Sequence, residues 1–137
     1  MEGKLHKLLK QSVTQDLLNQ YYEVYHEPPE SPLKRLYWRS YRPDILGIYS
    51  NNSKLIIVIA ECETKPSYKK TLRKTNQIRY GFSLQKQLNE KHFIFPLLVI
   101  PAMNFNKINF LEIRKFWQIW IINNSGKILH KLPHIEL

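Results

Sequence analysis

The stretch that most constrains this 137-residue chain runs from Arg42 to Lys65. Two apolar runs, Ile45-Leu46-Gly47-Ile48-Tyr49 and Leu55-Ile56-Ile57-Val58-Ile59-Ala60, flank the polar Ser50-Asn51-Asn52-Ser53. Runs rich in Ile, Val and Tyr on either side of a short polar turn read as a β-hairpin. The second run is almost wholly apolar, as expected of a strand covered on both faces. Carboxylates stand at both outer ends. With about four residues in the turn, Asp44 falls opposite Glu61; a shorter turn moves the partner by one or two positions. Side chains alternate along a strand, so Glu61, Glu63 and Lys65 share a face at spacings of roughly 6–7 Å. Folding therefore gathers Asp44, Glu61 and Glu63, with Lys65 beside them, just past the most apolar strand. Carboxylates so close repel one another. A divalent cation or a basic neighbour relieves that repulsion, and hard oxygen donors of this kind suit Mg²⁺ or Mn²⁺.

Pro43-Asp44, a gap, then an apolar strand ending in Glu61-Cys62-Glu63-Thr64-Lys65 resembles the PD-(D/E)xK nuclease superfamily, whose pattern is Pro-Asp at the start of one strand and Asp/Glu-x-Lys at the end of the next. The resemblance covers residues 42–65 and fits in two registers. In one, Glu61 is the second metal ligand and Glu63 stands where the family usually has lysine. In the other, Glu63 is the ligand and Lys65 the lysine. Hairpin pairing favours the first, and Pro66 supports it by ending the strand near Lys65. The resemblance implies a restriction-endonuclease-like core, a central mixed β-sheet flanked by helices, and a Mg²⁺- or Mn²⁺-dependent nuclease acting on DNA, with RNA left open. Asp44 and Glu61 would hold the metal. Glu63 would be a third ligand or orient the attacking water, and Lys65 would stabilise developing negative charge or assist deprotonation. It also implies a homodimer, since cutting two strands invites two-fold symmetry.

Charge points the same way. A formal net charge of +10 leads a chain toward polyanions or an anionic surface. No apolar run reaches the roughly 18–20 residues that span a bilayer, and the N-terminus lacks the apolar segment of a signal peptide. One cysteine, Cys62, excludes an internal disulfide and a cysteine-rich zinc site. The expected setting is intracellular and cytoplasmic, without a membrane. Four glycines form no phosphate-binding loop, and no nucleophile–histidine constellation is visible.

Length and composition suit one domain over residues 1–137. Leu5, Leu9, Val13, Leu17 and Tyr21 predict a first helix over about 2–25. Glu2 and His6 lie on the side of this stripe, at the end where the resembled family often sends an acidic residue to its metal; a frayed, solvated terminus is the plainer expectation. Prolines 28, 29 and 32 break the helix, and Glu27 reads as a solvated loop carboxylate. Residues 34–42 interleave basic and aromatic side chains with strand periodicity, marking Arg39 and Arg42 as phosphate contacts or as protection of an edge strand. Pro66-Ser67 opens a second helix over about 67–90. Lys69, Lys70, Arg73, Lys74 and Gln77 collect on one side, a candidate phosphate-binding face, and Tyr68, Leu72, Ile78 and Phe82 lean to the other. Residues 93–100 predict a buried strand with Pro96 marking an irregularity or edge. A short helix is expected near Phe110–Arg114 and a closing hairpin over 116–130. Trp117 and Trp120 differ in parity, so at most one faces the core of a regular strand, leaving the other for a subunit interface. The order of elements gives an α/β (α+β) domain. Two alternatives to a nuclease stand: a non-catalytic nucleic-acid-binding module on the same fold, and a structural, partner-binding subunit whose acidic cluster is an ion-pair network with Lys65 and Arg42.

Overall fold

A computed structural model describes residues 3–26, 43–52, 54–84, 92–103 and 109–135. The predicted hairpin forms: β2 (Ile45–Asn51) pairs antiparallel with β3 (Lys54–Cys62), from Ile45 opposite Ala60 to Asn51 opposite Lys54. The strands reach further into the turn than expected, and Asn52 takes a left-handed φ of 53°, a conformation asparagine tolerates. Asp44 keeps the expected partner although pairing runs on to Asn51 and Lys54 and the turn is shorter than the four residues expected. One step beyond Ile45 and Ala60, Asp44 is level with Glu61.

Around this hairpin the sheet is six-stranded, in the order β1-β2-β3-β4-β5-β6. β1 (Glu23–His26), β2 and β3 run antiparallel to one another in turn; β4 (His92–Pro101) lies parallel to β3, β5 (Gln118–Ile122) parallel to β4, and β6 (Ile128–Leu132) closes antiparallel. The parallel β3–β4 step is bridged by helix α2 (Tyr68–Leu84), while α3 (Phe110–Arg114) precedes β5. This mixed sheet with flanking helices is an α+β fold, consistent with a restriction-endonuclease-like core.

Alternation sorts the strands onto two covered faces. Ile57, Ile59, Leu98 and Ile119 pack with Ile78 of α2, Ile113 of α3 and Trp117. Val58, Ala60, Cys62 and Val99 pack on the other face with Leu9, Val13 and Leu17 of helix α1 (Lys4–Asn19). Coverage on both sides corrects the expectation for the tryptophans. Trp117 precedes β5 and is buried on the α2 face, where its Nε1 donates to Thr75 Oγ1 at 2.7 Å. Trp120 is buried on the α1 face, with Lys131 Nζ 4.3 Å above its ring. Neither is spare for a subunit interface.

One other expectation shifts. The first helix stops at Asn19 instead of about residue 25. Tyr21 takes φ 68°, its N–H donates to Leu18 O and that of Tyr22 to Leu17 O, each at 3.0 Å. This is the hydrogen-bond pattern of a Schellman ending with tyrosine where glycine is usual, and the chain turns back into β1. Close packing accompanies the return, because a Cβ on Gly47 of β2 would stand 3.1 Å from Leu17 Cδ1. Pro96, expected to mark an irregularity or edge, lies opposite Ile59 at a local edge of an otherwise central strand. It is tolerated because β5 joins β4 only from Leu97, so β4 has one neighbour at Pro96 and the missing N–H need break no ladder. α2 is followed as far as Leu84; the rest of the helix expected to about residue 90 lies outside the described residues. Among the described residues no helix is long and apolar enough to cross a membrane. Glu2, Glu27, Arg39 and Arg42 lie outside the described residues, as does the strand expected over 34–42.

Candidate active site

The carboxylates meet where β3 leaves the sheet. Cys62 points to the α1 face, so Glu61 and Glu63 on either side of it point toward α2. Pairing continues past the end of β3, since Glu63 N donates to Val99 O at 2.9 Å. Asp44 stands at the start of β2 and its Oδ2 accepts from the Cys62 amide at 2.8 Å. That amide would otherwise lack a partner at the end of the ladder. Asp44 is thus fixed beside the residue that separates the two glutamates. From the α1 side, His6 Nε2 reaches the same Oδ2 at 3.5 Å; neither contact engages Oδ1. The N-terminal turn of α1 does come to the site, through His6.

The basic partner of the cluster is not the one the sequence singles out. Lys74 Nζ lies 2.7 Å from Glu61 Oε2 and also pairs with Glu63 Oε1. Glu61 is only 2% exposed, so its charge must be compensated locally. Burial works against the Lys74 ammonium, but the charges and hydrogen bonds of the two glutamates outweigh it and hold its pKa well above the ordinary lysine value. Lys65 is exposed and stands outside this contact.

α2 delivers Lys74 because its inward face is not the expected one. Tyr68 and Leu72 are exposed, whereas Thr71, Thr75 and Ile78 are buried. Positions 71, 74, 75 and 78 follow the i, i+3, i+4, i+7 spacing of one helix face. Thr75 Oγ1 donates back to Thr71 O at 2.8 Å while accepting from Trp117. The helix begins on Ser67, whose Oγ accepts from Lys70 N at 3.2 Å. Lys69, Lys70 and Arg73 are exposed, as predicted for a solvated basic face, and Gln77 is half-buried one turn beyond Lys74. Lys74 itself leaves that face and points inward.

The cluster's field is felt nearby. Burial, then the charges of Asp44 and Glu61, push the Cys62 thiol well above its usual pKa, with Lys10 of α1 acting the other way. Among the described residues, three carboxylates gather at this end of the sheet, two of them on the Lys74 ammonium, with the Lys10 charge acting from α1. Among the described residues, no three His, Cys, Asp or Glu side chains converge as a ready metal cage, and both Glu61 and Glu63 are turned to Lys74. The donor chemistry nonetheless fits Mg²⁺, which usually takes one or two carboxylates and completes its shell with water. Asp44 and Glu61, level across β2 and β3, would be the residues to supply such a pair.

The fold matches that of a FdxN element excision controlling factor protein from Anabaena variabilis, with a TM-score of 0.50 and 11% identity over 92% of this chain and 98% of that one. An XisH family protein from Nostoc punctiforme gives 0.48 and 10% over 93% and 98%. At such identities the likeness concerns the fold alone. No protein-family model matches the sequence, and no curated protein matches it.

Proposed function

We propose that this chain is a metal-dependent nuclease that hydrolyses phosphodiester bonds in DNA. The observation that carries this reading is the seating of the Asp44 carboxylate on the Cys62 amide, between two glutamates that share a charged lysine. Asp44 and Glu61 would hold Mg²⁺ or Mn²⁺, which when bound lowers the pKa of a coordinated water and offsets charge on the scissile phosphate. Glu63 would orient the attacking water and accept its proton. Lys74, kept charged by its partners, would offset the negative charge that develops on the phosphate oxygens. It would take the part expected of Lys65, leaving Lys65 with Lys69, Lys70 and Arg73 to hold the flanking backbone.

The test is incubation with supercoiled, linear, single-stranded and four-way-junction DNA, each with Mg²⁺, Mn²⁺ or a chelator. Metal-dependent cleavage is expected of the native chain. Asp44→Asn should abolish it, since an amide oxygen can still accept from Cys62 while the ligand charge is gone. Undiminished cleavage by this variant would reject the assignment.

A second reading has its own observation. Lys74 already neutralises much of the two glutamates' charge, as in a structural ion-pair network, and the fold would then serve a non-catalytic nucleic-acid-binding module. It predicts salt-sensitive binding with no hydrolysis in any metal.

A further inference from the structure

The carboxylates have basic residues on both faces of the sheet, on α2 and on α1. α1 covers the face opposite α2, and its first turns arrive at the site through His6 and Asp44. Lys4, Lys7 and Lys10 follow one another at steps of three along those turns, and no acidic side chain occurs from residue 3 to residue 15. Lys4 and Lys7 are exposed, and the charge of Lys10 already acts on Cys62, inside the cluster's field.

This arrangement is poor for the helix itself. Cations in the first turn oppose the helix dipole, and α1 has no acidic residue in that turn to offset them. Further along, where α1 is tied to the closing hairpin, the pattern reverses. Asp16 pairs with Lys131 of β6 at 2.9 Å, and Ser12 Oγ donates to Gly126 O at 2.6 Å. The cationic turns are those beside the carboxylates.

We infer that Lys4, Lys7 and Lys10 form a second phosphate-binding wall, so that a nucleic-acid backbone crosses the carboxylate end of the sheet held from both faces. α2 takes one side through Lys69, Lys70 and Arg73, and α1 takes the other. The inference rests on the nucleic-acid reading above but not on cleavage. Charge complementarity selects the occupant: a polyanion that must reach a carboxylate pair needs positive charge on both flanks, to offset the repulsion of those carboxylates.

The experiment is a salt series of duplex-DNA binding in chelator, by fluorescence anisotropy, on the native chain, Lys7→Gln/Lys10→Gln and Lys69→Gln/Lys70→Gln. Removing one phosphate-binding charge should reduce the slope of log affinity against log salt by about 0.9. Each double variant should therefore drop by about 1.8 in slope, so that over a fourfold rise in salt its affinity falls by roughly tenfold less than that of the native chain. Because Lys10 is half-buried, Lys4→Gln/Lys7→Gln is measured beside it; both positions are exposed, and thermal melting checks that each variant is folded. A slope that moves for the α2 pair alone overturns the α1 wall and leaves the nucleic-acid reading standing. No change for either pair overturns both. Capture of the native chain by anionic lipid vesicles but not by duplex would also overturn the proposal.

Discussion

Replacing Lys74 by Met tests how the cluster is balanced. Met keeps most of the apolar stem and removes the charge, so packing changes little. The Lys74 side chain is 27% exposed and that of Glu61 3%, so the pair is screened far less than a surface ion pair. Breaking a buried pair from one side costs about 3–5 kcal/mol, because the remaining charge is left uncompensated. Partial exposure of Lys74 and Glu63 places the expectation at the lower end, about 3 kcal/mol. For a chain of this size that corresponds to a fall in melting temperature of roughly 10 °C. The same substitution removes the cation that competes with a metal for Glu61. Mg²⁺ at about a hundredfold excess over its dissociation constant should restore about 2.7 kcal/mol, so the variant should gain more from Mg²⁺ than the native chain does. Differential scanning fluorimetry over a Mg²⁺ series reads both effects, and Lys74→Met/Glu61→Gln should recover much of the stability without metal. Native-like melting of Lys74→Met, or a melting temperature indifferent to Mg²⁺, would refute the reasoning.

Further outcomes follow from other named groups. Stability should decline at alkaline pH in two stages of the same sign. Folding holds the Cys62 thiol above its ordinary value of 9.0 and the Lys74 ammonium above 10.5. Both contributions are therefore complete below pH 9.0 and erode as pH rises, the thiol's first; melting from about pH 7 to 11 checks this, and Cys62→Ala should remove the first stage. Thr75→Val leaves the buried Trp117 indole N–H without its acceptor and should cost about 1–3 kcal/mol in a denaturant titration. Tyr21→Gly should raise stability by up to about 1 kcal/mol, since a left-handed conformation costs an L-residue roughly that much and exposed Tyr21 holds one; destabilisation would contradict the helix ending described.

The hairpin and its register are legible in the sequence because a period of two, an apolar run and a polar turn all demand the same pairing, and Asp44 comes level with Glu61 as a consequence. What is not legible depends on tertiary contacts. The inward face of α2 is hidden because Tyr68 and Leu72 look like core, whereas two threonines and a lysine fill that side. Lys74 reads as one of its basic neighbours because nothing local distinguishes a solvated lysine from one drawn in by glutamates on another element. The spacing of Thr71, Lys74, Thr75 and Ile78 holds the signal, visible only once polar residues are admitted to a packed face. β1 reads as more helix because Tyr21 and Val24 continue the apolar spacing of α1, and tyrosine rarely ends a helix in the left-handed conformation.

The most direct test of the central claim, that the hairpin holds Asp44 and Glu61 as one divalent-cation site, is calorimetric titration with Mn²⁺ in the absence of DNA. The native chain should bind one ion, and Asp44→Asn and Glu61→Gln should each abolish that binding while melting as cooperatively as the native chain. Equal Mn²⁺ binding by all three folded proteins would contradict it.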